Sequence, residues 1–389
     1  MALSTATALR YVFPFVDPTA RHWAFEARLL RWLTLIWLVV GLIVLFSASY
    51  VVADAEQGDG LYYFKMQLMW VFLGLLIFNT LTHLPVKVTL GLAPLLCALV
   101  SALIIATLVP GVGVTVNGAT RWLVIGPVGI QPSELIKPLL ILQGAYVFGL
   151  WRHLKLGTRL GWVIFFILIT GCILMQPNLS TAALCGLVLW GIALASDLPL
   201  KFISGAALSG FAVASMSVGL RDYQRRRLIS FLNPWESPTG DGYQLIQSLL
   251  AIGSGGFWGT GLGFSYQKLF YLPIQYTDFI FAVFAEEFGF VGALFFLSLL
   301  LLYATIGLRI ALRARRPVHQ LLALGAILLL VGQSILNIGV ASGVLPTTGL
   351  PLPLISYGGS SMLGSLAVAG ILVRVARESC GAEVVALSP

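Results

Sequence analysis

Charge is what this 389-residue chain has least of. Only 10% of its residues are Asp, Glu, Lys or Arg, against about 25% in soluble domains. No polar stretch is long enough to build a core of its own, so a sizeable soluble domain is excluded. The four cysteines, Cys97, Cys172, Cys185 and Cys380, share no close spacing. They read as small apolar residues and not as a disulfide or metal framework. The four histidines, His22, His83, His153 and His319, form no pair at ligand spacing, so no structural zinc is expected. No internal repeat is evident, and no Gly-Lys-Ser/Thr follows a glycine-rich loop, which removes a P-loop. Nothing in the pattern points to nucleic acid.

What is abundant is apolar sequence. Hydrophobic residues make up 58% of the chain and its mean hydropathy is +0.95. A bilayer crossing needs roughly 20 apolar residues. Ten runs qualify, at 29–50, 65–82, 88–110, 134–151, 159–176, 179–196, 202–220, 278–306, 320–343 and 355–376. The expected fold is therefore all-α, a polytopic membrane protein with ten transmembrane helices. Segment 1–28 precedes the membrane domain, 29–377 forms it, and 378–389 is a tail. Met1 to Arg31 is mixed and basic with no small-residue cleavage site, so the first span is expected to stay as a signal anchor. Arg21 to Trp32 alternates basic and aromatic residues, as a segment lying on the cytoplasmic leaflet does.

An even number of spans puts both termini on one side. Of the 23 Lys and Arg residues, fifteen fall on the side of the termini and eight on the other. The excess marks the termini as cytoplasmic. The long loop at 221–277, between helices 7 and 8, is then extracytoplasmic and holds five of the eight outer charges: Arg221, Arg225, Arg226, Arg227 and Lys268. Arginine suits phosphates through its planar, bidentate donors. The cluster reads either as an anion site or as a solvated, headgroup-facing surface.

Within that loop, Pro234, Pro238 and Gly240 mark turns. Tyr243 to Ile252 is apolar enough for a short helix on the membrane surface. Gly253 to Gly263 is glycine-rich, and is either a turn-forming connector or a phosphate cradle. The other outer loop carries Ala119-Thr120-Arg121-Trp122, then Gln131-Pro132-Ser133-Glu134. Ser133 is placed to cap the next helix, and Glu134 and Lys137 are spaced to pair on one face. That pair is either structural or lines a polar cavity. Pro346 to Ser361 puts prolines and glycines at membrane depth, where irregular backbone survives only inside protein or beside water.

The most informative residue is Asp278. It opens a membrane-length run that also holds Glu286 and Glu287, and carboxylates there are costly and functional by default. Asp278 also stands where it can cap its helix. Glu286 and Glu287 lie about 80° and about 180° around an ideal helix from it. They cannot both share its pocket, so at least one is structural.

Five blocks carry a resemblance to a known family: Ala119-Thr-Arg-Trp122 to Gln131-Pro-Ser-Glu-Leu135; Gln176-Pro-Asn-Leu-Ser180; Arg225 through Asn233-Pro234 to Gln247; Thr277-Asp-Phe-Ile-Phe-Ala282 with Glu286-Glu287; and Gly349-Leu-Pro351 to Ser360. In order and spacing the chain resembles the SEDS family (shape, elongation, division and sporulation) of FtsW, RodA and SpoVE. Phe46-Ser-Ala-Ser49 and Tyr63-Phe-Lys-Met-Gln67 lean toward its FtsW branch. The resemblance implies peptidoglycan glycosyltransferase activity on lipid II at the outer face of the bacterial inner membrane, during septal wall synthesis. It also implies a class B penicillin-binding protein and other divisome proteins as partners. The family's essential outer-loop aspartate matches Asp278. Two positions depart from the pattern. Asn178 stands where the family usually has Asp, and Tyr276 where it often has His.

On this reading Asp278 is the general base. Arg121, Trp122, Glu134, Lys137, Arg225, Arg226, Arg227 and Lys268 are the candidate substrate-binding residues, the cations serving the pyrophosphate. A divalent cation (Mg or Mn) is compatible with that work, though no carboxylate cluster marks a site. The rival readings are a lipid II flippase and a non-catalytic divisome scaffold.

Overall fold

The computed structural model describes the backbone of residues 18–386 except 117, 118 and 127. The expectations for 1–17 and for the last three residues lie outside the described residues. Helices occupy all ten positions where spans are expected. They are α1 (Phe25–Gln57), α2 (Tyr62–His83), α3 (Val86–Thr107), α4 (Pro132–Gly149), α5 (Leu156–Met175), α6 (Leu179–Leu194), α7 (Leu200–Leu220), α10 (Ile280–Arg313), α11 (Pro317–Ala341) and α12 (Gly359–Ala386). Eight of them are long and apolar enough to cross a membrane; α4 and α6 are not among those eight. Helix α4 has Pro132, Ser133, Glu134 and Lys137 in its first two turns, all buried. It can be polar there because α3, α6, α11 and α12 pack around it in place of lipid. Helix α7 is its opposite. Only Ile203 is buried along its length, and it packs mainly on α6.

The all-α expectation is corrected in one loop. Between α3 and α4 lies a three-stranded antiparallel sheet, β1 (Val114–Val116), β2 (Ala119–Ile125) and β3 (Val128–Ile130). Val, Thr and Ile dominate these strands and favour extended backbone. Such a small open sheet fits a wet loop and not hydrocarbon, where its edges would go unpaired.

Two cap assignments also change. Helix α4 starts at Pro132 with Gln131 before it and no side-chain cap. Proline at the first position needs no partner for a missing N–H, and Ser133 instead accepts a hydrogen bond from Gln131 Nε2 at 3.3 Å. Helix α10 starts at Ile280 without a side-chain cap, so Asp278 sits in the turn before it and does not cap it.

The long loop between α7 and α10 forms α8 (Asp222–Leu232) and α9 (Tyr243–Ser254). Helix α9 buries Leu245, Ile246, Ser248 and Ala251 against protein, with Ser248 Oγ donating to Ala341 O at 2.7 Å. The expected surface helix is thus a packed one.

The glycine-rich stretch after α9 is a connector with a specific task. Helix α10 breaks at Gly289, where φ is 64° and ψ is −164°. The break strands backbone groups on both sides. The Thr260 and Gly261 N–H groups donate to the Glu286 and Glu287 carbonyls at 2.9 and 3.0 Å. The Phe290 and Val291 N–H groups donate to the Gly256 and Phe257 carbonyls at 3.0 and 3.2 Å. A broken membrane helix is tolerated when neighbours supply the lost bonds in this way. The two backbones come so close that a Cβ on Gly259 would lie 2.2 Å from Glu287 O. Only glycine fits there, so the loop's close approach to α10 depends on that residue.

Candidate active site around Asp278

Asp278 keeps part of its surface open while protein surrounds most of it. Its backbone is fixed from α11. Gln333 and Asn337 are one helical turn apart, so they share a face. Asn337 Nδ2 donates to Asp278 O at 2.7 Å and to Leu350 O at 2.8 Å. Gln333 Nε2 donates to Pro351 O at 2.7 Å. A π-helical stretch at Leu328–Gly332 precedes them, a local widening common at functional sites. The proline-rich segment 346–358 runs past this face, and Ser356 Oγ donates to Thr277 O at 2.6 Å. Gln67 in α2 donates through Nε2 to Ser356 O and accepts from Gly358 N. The irregular backbone expected at membrane depth is therefore satisfied by buried side chains. A Cβ on Gly349 would stand 3.4 Å from Asp278 Oδ2, so this segment forms one wall of the carboxylate's pocket.

The electrostatic surroundings set the carboxyl's behaviour. Burial pushes the Asp278 carboxyl above the usual carboxylate range; Arg121 and Arg227 oppose that rise and Glu134 adds to it. Arg121 lies on β2 at even spacing from Ala119 and Leu123, both buried, so it shares the strand's inward face. Its Nε is buried without a hydrogen-bond partner among the described residues. The neighbour Trp122 faces the other way and packs on Gly129 of β3, whose Cβ would meet its ring at 3.4 Å.

The three consecutive arginines of α8 separate by about 100° per residue. Arg225 pairs with Asp222 at 2.9 Å and Arg226 approaches Asp241 at 3.8 Å, both exposed. Arg227 alone turns inward, stacking on Tyr223 at 4.6 Å and donating to Thr347 O at 3.3 Å. Glu134 and Lys137 form the expected pair at 2.7 Å, buried to 4–5% exposure, and Lys137 Nζ also donates to Gln333 Oε1 at 3.1 Å. That pair ties α4 to the face that holds Asp278.

Lys268 is not at this site. It is buried in an ion pair with Glu287 at 2.8 Å and donates to Ser47 Oγ at 2.8 Å. Glu286 accepts from Tyr266 N at 2.9 Å and from the Ser265 hydroxyl. Both glutamates therefore clamp the loop that leads to Asp278, one step beyond the expectation that at least one is structural. At position 178, Asn178 Oδ1 accepts from Thr181 N at 3.4 Å and caps α6, a task that needs no acid. Among the described residues no group of three His, Cys, Asp or Glu side chains could hold a metal ion.

Sequence reasoning missed Gln333, Asn337 and Gln67. Each is an amide in an otherwise apolar helix, and the i,i+4 spacing of Gln333 and Asn337 was the available signal.

The family model for the cell cycle proteins FtsW, RodA and SpoVE matches residues 27–380. The chain belongs to this family. It is 56% identical over 385 residues to the probable peptidoglycan glycosyltransferase FtsW of Synechocystis, covering 99% of this chain and 98% of that one. It is 37% identical over 354 residues to the stage V sporulation protein E of Bacillus subtilis, covering 89% and 96%. Among solved structures, it resembles a chain from work on the structural coordination of polymerization and crosslinking by a peptidoglycan synthase complex. The TM-score is 0.70 at 29% identity, over 90% of this chain and 97% of that one. The rod shape determining protein RodA of Thermus thermophilus matches with TM-score 0.65 at 29% identity, over 90% and 96%.

Proposed function

We propose that this member of the family is a peptidoglycan glycosyltransferase that polymerises lipid II at the outer face of the bacterial inner membrane during septal wall synthesis. The observation that carries the reading is a half-open carboxylate, Asp278, whose charge is favoured by two inward-turned arginines, Arg121 and Arg227. Glycan polymerisation joins a sugar 4-hydroxyl to an anomeric carbon that bears undecaprenyl pyrophosphate. Asp278 takes the hydroxyl proton as the bond forms. Arg121 and Arg227 hold the pyrophosphate, whose charge grows as it leaves. One carboxylate suffices for inversion, whereas a retaining hydrolase needs two. Magnesium or manganese bound to a pyrophosphate needs only one or two protein carboxylates. Such an ion would share with Arg121 and Arg227 the work of neutralising the leaving pyrophosphate.

The proposed topology has ten spans, both termini in the cytoplasm and the 221–277 loop outside, supported by the Lys and Arg distribution. A class B penicillin-binding protein that crosslinks the new strand is the proposed partner, with other divisome proteins. The related complex that coordinates polymerization and crosslinking supports it.

Purified protein with labelled lipid II, alone and with the transpeptidase, tests the reading. Glycan ladders are expected. Lipid movement without ladders would make the chain a flippase, and neither would make it a scaffold.

The charge environment gives a second expectation. A base must be ionised, so activity falls as pH drops through the Asp278 pKa. That acid limb should lie above the ordinary aspartate value of about 3.9, because burial raises it. Arg227 favours the ionised form. Arg227→Gln should therefore move the limb to still higher pH, read from the pH profile of polymerisation. A limb that stays in place would remove Arg227 from the site.

A further inference from the structure

Beside Asp278 lies a cluster of three tyrosines that the proposed chemistry leaves unused. Tyr276 stacks on Tyr63 with ring centroids 4.9 Å apart and planes 21° from parallel. Tyr357 closes on both edge-to-face, at 5.1 Å from Tyr63 and 5.8 Å from Tyr276. All three rings are half-buried, each with part of its surface open. They come from three separate elements, α2, the turn before α10, and the segment before α12. They are tied to the catalytic turn by its own backbone: Tyr357 N donates to Tyr276 O at 2.9 Å, and Ser356 Oγ binds the next carbonyl, Thr277 O. The segments that carry the rings are thus hydrogen-bonded to the turn that carries Asp278. The Tyr63 hydroxyl donates to Glu56, and Asp59 and Lys65 pair close by in sequence, so the rim of the cluster is polar.

Resting on the reading above, we propose that Tyr276, Tyr63 and Tyr357 form the platform that receives the acceptor sugar, the one that brings the 4-hydroxyl. Displacement with inversion requires the acceptor to approach opposite the leaving group. Arg121 and Arg227, on β2 and α8, are the cations that act on Asp278 and are assigned to the pyrophosphate. The tyrosines arise from different elements and carry no positive charge. A pyranose whose substituents are all equatorial presents a flat face of C–H bonds, which an aromatic face accommodates, while its hydroxyls need a polar rim. The cluster offers both, two residues from the base.

The test uses the full-length protein with its transpeptidase partner and two half-substrates. One is a lipid II analogue lacking the 4-hydroxyl, which can only donate. The other is the disaccharide-peptide as a methyl glycoside without pyrophosphate, which can only accept. Tyr276→Leu should raise the KM for the acceptor roughly three- to tenfold and leave the donor KM within about twofold, with Tyr276→Phe recovering the acceptor KM. Tyr63→Leu, on a separate helix, should show the same split, so the result does not hang on the fold of one variant. Unchanged KM values for both half-substrates, or a rise confined to the donor, overturn the proposal. If the unaltered protein joins no half-substrates at all, the glycosyltransferase reading itself fails, a different outcome from a tyrosine variant without effect.

Discussion

Asp278→Asn should lower lipid II polymerisation by about 10²–10⁴-fold, the usual contribution of a general base, while lipid II still binds. The substitution keeps the shape of the side chain and removes only its ability to take a proton. The fold should tolerate it, because Asp278 is held through its carbonyl by Asn337 and not through its carboxylate. Removing a carboxylate that burial disfavours also relieves a cost in the folded state. The variant should therefore melt no lower than the parent. Glycan ladder length and rate, with binding of labelled lipid II measured in parallel, give the answer. Ladders of normal length and rate would take the base away from Asp278. Loss of both binding and ladders would make it a binding residue instead.

The largest effect on stability should come from a residue outside the site. Lys268 and Glu287 are paired at 2.8 Å with side chains 6% and 0% exposed. Removing one partner of a buried pair leaves an uncompensated charge and typically costs about 3–5 kcal/mol. Lys268→Met should thus lower the melting temperature of the detergent-solubilised protein sharply. Glu287 then has only Ser47 and Ser265 N for its Oε1, and its Oε2 already has no partner among the described residues. The double variant Lys268→Met/Glu287→Gln removes both charges and should recover much of the loss, since a buried pair often gives little net stability over neutral residues. Because the two sites touch, their effects should be far from additive. A single variant that melts with the parent would show that the pair does not hold the loop. Polymerisation should fall with the Lys268 variant as well, because the clamped loop leads into the turn that carries Asp278.

Much of the site was legible in the order of residues. Glu134 and Lys137 are three apart on a helix, and local geometry alone predicts their contact. Asp278 stood out because an acid at the edge of an apolar run has few neutral explanations. The arginines of α8 could be nominated but not sorted. Helical rotation says that three in a row cannot all face one way, yet only packing says which one faces in. Lys268 could not be sorted for the same reason: a cation in a long loop looks like a phosphate ligand until its burial against Glu287 is known. The glycine-rich stretch offered two uses, and the break at Gly289 shows the connector's task.

By itself the sequence determined the class of this protein, its membrane-spanning organisation, its family and the prominence of Asp278. Those rest on composition, on periodicity within single helices and on motifs of a few residues, all local properties. The tertiary structure decided which of the nominated cations act electrostatically on Asp278, why both Glu286 and Glu287 are buried, and that amides at 67, 333 and 337 hold the irregular backbone beside it. Each of those depends on which faces of distant segments meet, as when Asn337 bonds a carbonyl 59 residues earlier. A helix's own sequence states what its faces are, but not what lies across from them.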